Sequence, residues 1–178
     1  MKRLLNFAVI AFVLLAIAGC VKDESTTPLT NGQDSNMLLK KQPVAKTIKF
    51  WSTSGTLGYL YSEENECYPE YAQAFIYGEG NATHIGHYTV TNNYCIDGAG
   101  NPVTPILGFI TAANGDQIFT TIADPSTDIY LGEEGLMYFH YTILGGTGRF
   151  DGATGDLLMW GTIYPDSWEL EGEGTITY

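Results

Sequence analysis

Beyond Lys49 this chain has a single basic residue, Arg149, set against 17 acids. The formal net charge of the whole sequence is −12. A surface of that sign repels nucleic acid phosphates and anionic lipid, which excludes nucleic acid as a partner. It either attracts cations or keeps a crowded surface protein soluble. Helical periodicity is also missing: no stretch after Pro43 repeats apolar residues every 3.6 positions, which excludes a helical bundle. Histidine is scarce, with only His84, His87 and His140. His84 and His87 are three apart, so in a strand they face opposite sides and cannot share a metal. No G-x-S-x-G occurs and no Gly-Lys-Ser/Thr follows a glycine run, so neither a hydrolase elbow nor a phosphate loop is present. No cofactor is expected, and no metal.

What is there begins with an export signal. Met1-Lys2-Arg3 is a short basic start, and Leu4 to Ile17 is apolar apart from Asn6. Small residues then precede Cys20. This pattern describes a secretory signal over residues 1–19. A cysteine directly after Ala18-Gly19 resembles the bacterial lipobox, which implies cleavage before Cys20 and diacylglycerol on its thiol. An ordinary signal peptide with an incidental cysteine is the alternative. Lys22, Asp23 and Glu24 then resemble the surface-export signal of Bacteroidetes lipoproteins, or simply start a solvated linker. Together these features imply an outer-membrane lipoprotein of the cell envelope, with its domain at the surface. The membrane contact would be the lipid anchor. Residues 20–43, rich in Ser, Thr, Pro, Asn and Gln, lack the apolar content to fold and read as a flexible tether.

Three cysteines are present. With Cys20 assigned to the anchor, Cys67 and Cys95 are left in an oxidising setting, where a disulfide is expected. It would pin the long connection before Tyr71 to the end of the next hairpin.

Residues 44–178 form the domain. Short β-branched and aromatic runs recur between Gly, Asn, Asp and Pro, the spacing of a sandwich or barrel. Eight runs are expected, at about 45–52, 71–79, 83–94, 104–113, 116–124, 135–144, 156–164 and 168–177. A glycine-bearing loop should span 52–69, and Gly78 to Asn81 should turn. Asn114-Gly115 predicts a two-residue type I′ hairpin. In the last run Trp168, Leu170, Gly172, Gly174 and Ile176 alternate with Glu169, Glu171, Glu173 and Thr175, which describes a half-buried strand. Runs 136–144 and 157–164 are apolar on both faces. Their outer side is either a contact surface or is covered by segment 52–69 or 125–134.

The chain's punctuation is Gly145-Gly146-Thr147-Gly148-Arg149-Phe150-Asp151-Gly152-Ala153-Thr154-Gly155. It reads as a strand end, a tight connection and a restart. Gly145, Gly146, Gly148, Gly152 and Gly155 are its structural glycines. Its start mimics G-x-G-x-x-G, but Asp151 holds the third glycine position. This segment resembles the one shared by allene oxide cyclases, dirigent proteins and uncharacterised bacterial secreted proteins. Gly80-Asn81-Ala82-Thr83-His84-Ile85-Gly86 is similar to a second segment of the bacterial members. The resemblance implies an all-β fold, an eight-stranded antiparallel calycin-like β-barrel. It implies no activity, and no catalytic position carries over.

Four side chains are candidates to line a ligand site. Tyr138 and His140 share a strand face with Thr142, His84 lies in the second segment, and Arg149 is the lone cation. His140 with tyrosine hydroxyls describes either an acid–base site or hydrogen-bonded core residues. Arg149 is either an anion anchor at the barrel mouth or the partner of Asp151 or another acid. The leading expectation is a non-catalytic barrel that binds a small apolar or aromatic ligand, or a partner protein. An isomerase or cyclase acting in the cavity is the alternative, by analogy of fold. A structural envelope protein is the third. Nothing in the sequence speaks to oligomeric state.

Overall fold

In a computed structural model, residues 43–178 are described, except Ser62 and Glu133. Cys20 and the Lys22, Asp23, Glu24 segment lie outside the described residues, as do residues 1–42 in general.

Nine strands follow in order: β1 (Ala45–Leu60), β2 (Ala72–Ala82), β3 (Gly86–Ile96), β4 (Ile106–Ala112), β5 (Gln117–Ile122), β6 (Ile129–Leu131), β7 (Met137–Gly146), β8 (Thr154–Ile163) and β9 (Ser167–Thr177). A four-residue helix, α1 (Pro125–Asp128), precedes β6. Its start is fixed by Asp124, whose Oδ1 accepts from the Ser126 amide at 3.0 Å, an N-cap with proline at the first helical position. All pairings are antiparallel, and β1 lies between β2 and β9. The β5–β7 pairing closes the sheet into an eight-stranded barrel. Short β6 takes the other half of the β7 edge that β5 uses.

Alternation writes the wall. On β9, Trp168, Gly172 and Ile176 are buried, whereas Glu169, Glu171 and Glu173 face water. On β4, Ile106 and Ile110 point in, and Leu107 and Phe109 point out. β1 changes phase partway: Ile48 and Phe50 are buried, and then Thr53 is. The register slips between Trp51 and Ser54, and Ser52 has φ of 52°. One extra residue in a strand swaps its faces, which is what a bulge does.

The expected 52–69 loop is therefore corrected. Residues 52–60 belong to β1, and only the segment after Leu60 is loop. The glycines that suggested a loop make room inside the wall: a Cβ on Gly55 or Gly78 would strike the ring of Trp168. Gly78 to Asn81 is strand, and the turn falls at Thr83–Ile85, where His84 has φ of 67°. Asn114-Gly115 does sit in a hairpin, but Asn114 keeps negative φ and only Gly115 is left-handed, at 87°. Ala112 accepts from Gly115 and donates to Asp116 at 2.9 Å each, so the loop has three residues and is not type I′.

The glycine segment joins β7 to β8 and carries a short 3-10 turn, Gly148–Phe150. Phe150, 0% exposed, plugs one end of the barrel and meets Tyr178 edge-on at 5.1 Å. Burying that ring stabilises the fold by about 2–3 kcal/mol. Outside, Tyr138 of β7 stacks on Tyr130 of β6 at 5.2 Å and on Trp160 of β8 at 6.4 Å. β6 thus covers part of the apolar outer wall, while Leu144 stays 58% exposed.

Candidate functional site

The half of the barrel remote from Phe150 is not filled. A cavity of about 120 Å³ remains there, the alternative open to an eight-stranded barrel that does not pack solid. Phe50, Val90, Phe139, Leu157, Met159 and Leu170 form its apolar wall. Toward the β1–β2 loop it is bounded by Leu57, Ile76, Tyr94, Ile163 and Trp168. Trp168 is fixed there by donating its indole N–H to the Thr56 carbonyl at 3.3 Å. The loop beside this end is tied down by a disulfide between Cys67 and Cys95, whose Cα atoms are 5.7 Å apart. Cys95 belongs to β3 itself, two positions beyond Asn93, which accepts from Gln73 at 2.7 Å.

Polar groups enter the cavity at two places. Thr53 and Tyr88 share a buried hydroxyl–hydroxyl bond of 2.6 Å. Burial pushes the Tyr88 phenol up to about 12, against the lowering effect of Thr53. The second place is built on β3, whose inward series is Tyr88, Val90, Asn92, Tyr94 and Ile96. The Asn92 side chain donates from Nδ2 to the Tyr141 hydroxyl at 3.3 Å. Its Oδ1 is buried and accepts no hydrogen bond. Asn92 is only 6% exposed. Leaving such an acceptor unmet costs about 1–3 kcal/mol. A Cβ at Gly108 would sit 2.5 Å from Thr120 Oγ1 and 2.6 Å from Asn92 Oδ1. Glycine there lets the two oxygens lie close over the wall, in space that a Cβ would need. Burial holds Tyr141 up at about 12, with the Asn92 bond pulling the other way. Tyr94 is raised by burial first, then by Tyr141 and Tyr59. The cavity tyrosines are therefore neutral at physiological pH, and no charged side chain lines the cavity among the described residues.

The four candidate lining residues do not meet at this site. Tyr138 and His140 face outward, because β7 turns its odd-numbered residues, Phe139, Tyr141 and Ile143, toward the interior. His140 lies 3.8 Å from Asp128 and 3.9 Å from Asp156 on the outer surface. His84 is exposed in the β2–β3 turn. Arg149 sits at the plugged end. Its Nε is 3.6 Å from Asp116, its Nη2 donates to the Ile85 carbonyl at 3.1 Å, and its guanidinium lies 4.7 Å from the Phe150 ring centre. The acid it pairs with is Asp116 rather than Asp151. Asn92 was readable in the sequence as a polar residue at an inward position of an apolar alternation, but Asn93 beside it blurs the phase. A shallower groove of about 440 Å³ crosses the outer wall at the β1 bulge, bordered by Ser52, Trp160, Glu169 and Glu171. Among the described residues no cluster of His, Cys, Asp and Glu could hold a metal ion.

The closed eight-stranded antiparallel barrel is similar in fold to that of a dirigent protein. The chain resembles the solved pterocarpan synthase dirigent protein GePTS1 with a TM-score of 0.52, over 84% of this chain and 97% of that one, at 9% identity. At that identity the likeness is one of fold. No family model matches the sequence, and no curated protein does.

Proposed function

We propose that this chain is an envelope lipoprotein, held to the outer membrane through Cys20, whose barrel takes up a small apolar or aromatic ligand. The observation that carries the reading is the interior cavity of about 120 Å³ with its apolar wall. An apolar cavity of roughly 150 Å³ accommodates a benzene-sized molecule. The flexible composition of residues 20–43 and the acid-rich exterior suit a domain carried clear of a membrane. Catalysis as an isomerase or cyclase, which a barrel like that of a pterocarpan synthase brings to mind, needs a group that trades protons near neutrality. The cavity tyrosines are pushed away from that range, so binding is the better-supported role.

Ethylbenzene is a suitable probe. Calorimetric titration into the purified, oxidised full chain should show saturable binding at one site. Enlarging a wall residue inward, as in Val90→Trp, should abolish it without unfolding the barrel. Ethylbenzene that fails to bind, or that binds the blocked variant equally well, removes this reading.

A further inference from the structure

Resting on that cavity reading, we infer that the ligand is a neutral hydroxylated hydrocarbon, and that Asn92 and Tyr141 read its hydroxyl group. A hydroxyl both donates and accepts. The cavity offers one unmet group of each kind side by side. Asn92 lines the cavity, and its Oδ1 is buried and accepts nothing. The Tyr141 oxygen accepts from Asn92 Nδ2, so its own proton is left to donate. No acceptor among the described residues takes it. A ligand O–H can therefore give its proton to Asn92 Oδ1 while its oxygen takes one from Tyr141. Both protein groups are then satisfied and the hydrocarbon body lies along Phe139, Leu157 and Met159.

Charge narrows the class further. A carboxylate or ammonium ligand would be buried opposite neutral groups only, at a cost of several kcal/mol. A pure hydrocarbon leaves the Asn92 oxygen unmet. An ether can accept from Tyr141 but gives nothing to Asn92. The competing account is that one trapped water meets Asn92 and the site is otherwise indifferent.

Three ligands with the same number of heavy atoms separate these accounts: benzyl alcohol, ethylbenzene and the ether anisole. An unadorned apolar cavity favours ethylbenzene, because the alcohol must shed its water. The inference requires benzyl alcohol to bind the full chain at least as tightly as ethylbenzene, and the ether to bind more weakly than the alcohol. Asn92→Leu, close to isosteric, should shift the alcohol-to-hydrocarbon affinity ratio by about tenfold or more toward ethylbenzene. Tyr141→Phe should shift it the same way, and gives the answer where the Asn92 variant fails to fold. An unchanged ratio in both variants, or tighter binding of ethylbenzene than of benzyl alcohol by the unmodified protein, overturns the hydroxyl inference and leaves the apolar-ligand reading standing. If none of the three binds, both fall.

Discussion

The connection from β7 to β8 makes a quantitative demand on two glycines. Gly148 has φ of +58° and Gly152 has φ of +70°. An L-residue in that region costs about 1–2 kcal/mol, and a β-branched one is at the upper end. Around Gly152 nothing lies within 4 Å of an added Cβ, so strain is its whole penalty. At Gly148 a Cβ would also collide with the Asp116 carboxylate. That carboxylate cannot simply swing away. Asn114 Nδ2 donates to it at 2.8 Å, and Arg149 holds it at 3.6 Å. Losing those contacts adds about 1 kcal/mol. Gly152→Val should therefore cost about 1–2 kcal/mol and Gly148→Val about 2–3 kcal/mol. For a domain of this size 1 kcal/mol moves the melting temperature by about 4 °C. Gly98 has open space around it and no left-handed φ, so Gly98→Val should melt within about 2 °C of the parent. Asparagine tolerates the left-handed region, so Gly152→Asn should recover at least half of the loss seen with valine. Differential scanning calorimetry on purified variants decides the order. Equal melting of Gly152→Asn and Gly152→Val, or a loss in Gly98→Val matching Gly152→Val, would refute the strain argument.

Three further outcomes are expected. The disulfide closes a loop with a sequence separation of 28, so its reduction should lower stability by about 3.5 kcal/mol by the chain-entropy relation; alkylation of both thiols in the untreated protein would contradict the bridge. Cys20→Ala should remove lipid attachment, read by metabolic labelling with a fatty-acid analogue, and an undiminished label would end the anchor proposal. Alkaline stability should also show the buried tyrosines. Tyr88 and Tyr141 are raised from 10.0 to about 12 in the folded state. A phenol raised on folding contributes stability that is complete below pH 10 and lost as the pH climbs from 10 toward 12; phenolate absorbance that rises through pH 10 for every tyrosine, with no change in unfolding free energy, would contradict their burial.

Much of the barrel could be read from residues alone. β9 announces itself through three glutamates and two threonines set against Trp168, Leu170 and Ile176, because one face meets water and the other the core. β1 hides its second half, because the bulge at Ser52 flips the alternation and glycines stand where Trp168 needs room. Closure by β5 and β7 is invisible in either strand, since it depends on how far the whole sheet coils. The site was harder still. Tyr138 and His140 suggest chemistry, but Tyr141 and Phe139 occupy the interior, and a one-residue difference of phase decides which pair that is. On a run apolar on both faces, composition does not set that phase. Asn92 matters through an atom with nothing opposite it, a property of the assembled interior rather than of the residue.

The two ends of the described chain lie side by side in this barrel: Ala45 is opposite Thr177, and Phe50 is opposite Gly172. Synthesis therefore produces β1 first and its second neighbour last. Until β9 is available, β1 and β8 are both bare edges, and the hairpins already made cannot join into a ring. Folding waits on contacts more than 100 residues apart in sequence, which makes it slow. Deleting the final strand would do more than shorten the protein. It would leave a permanently open sheet with two sticky margins, prone to pairing with its own copies.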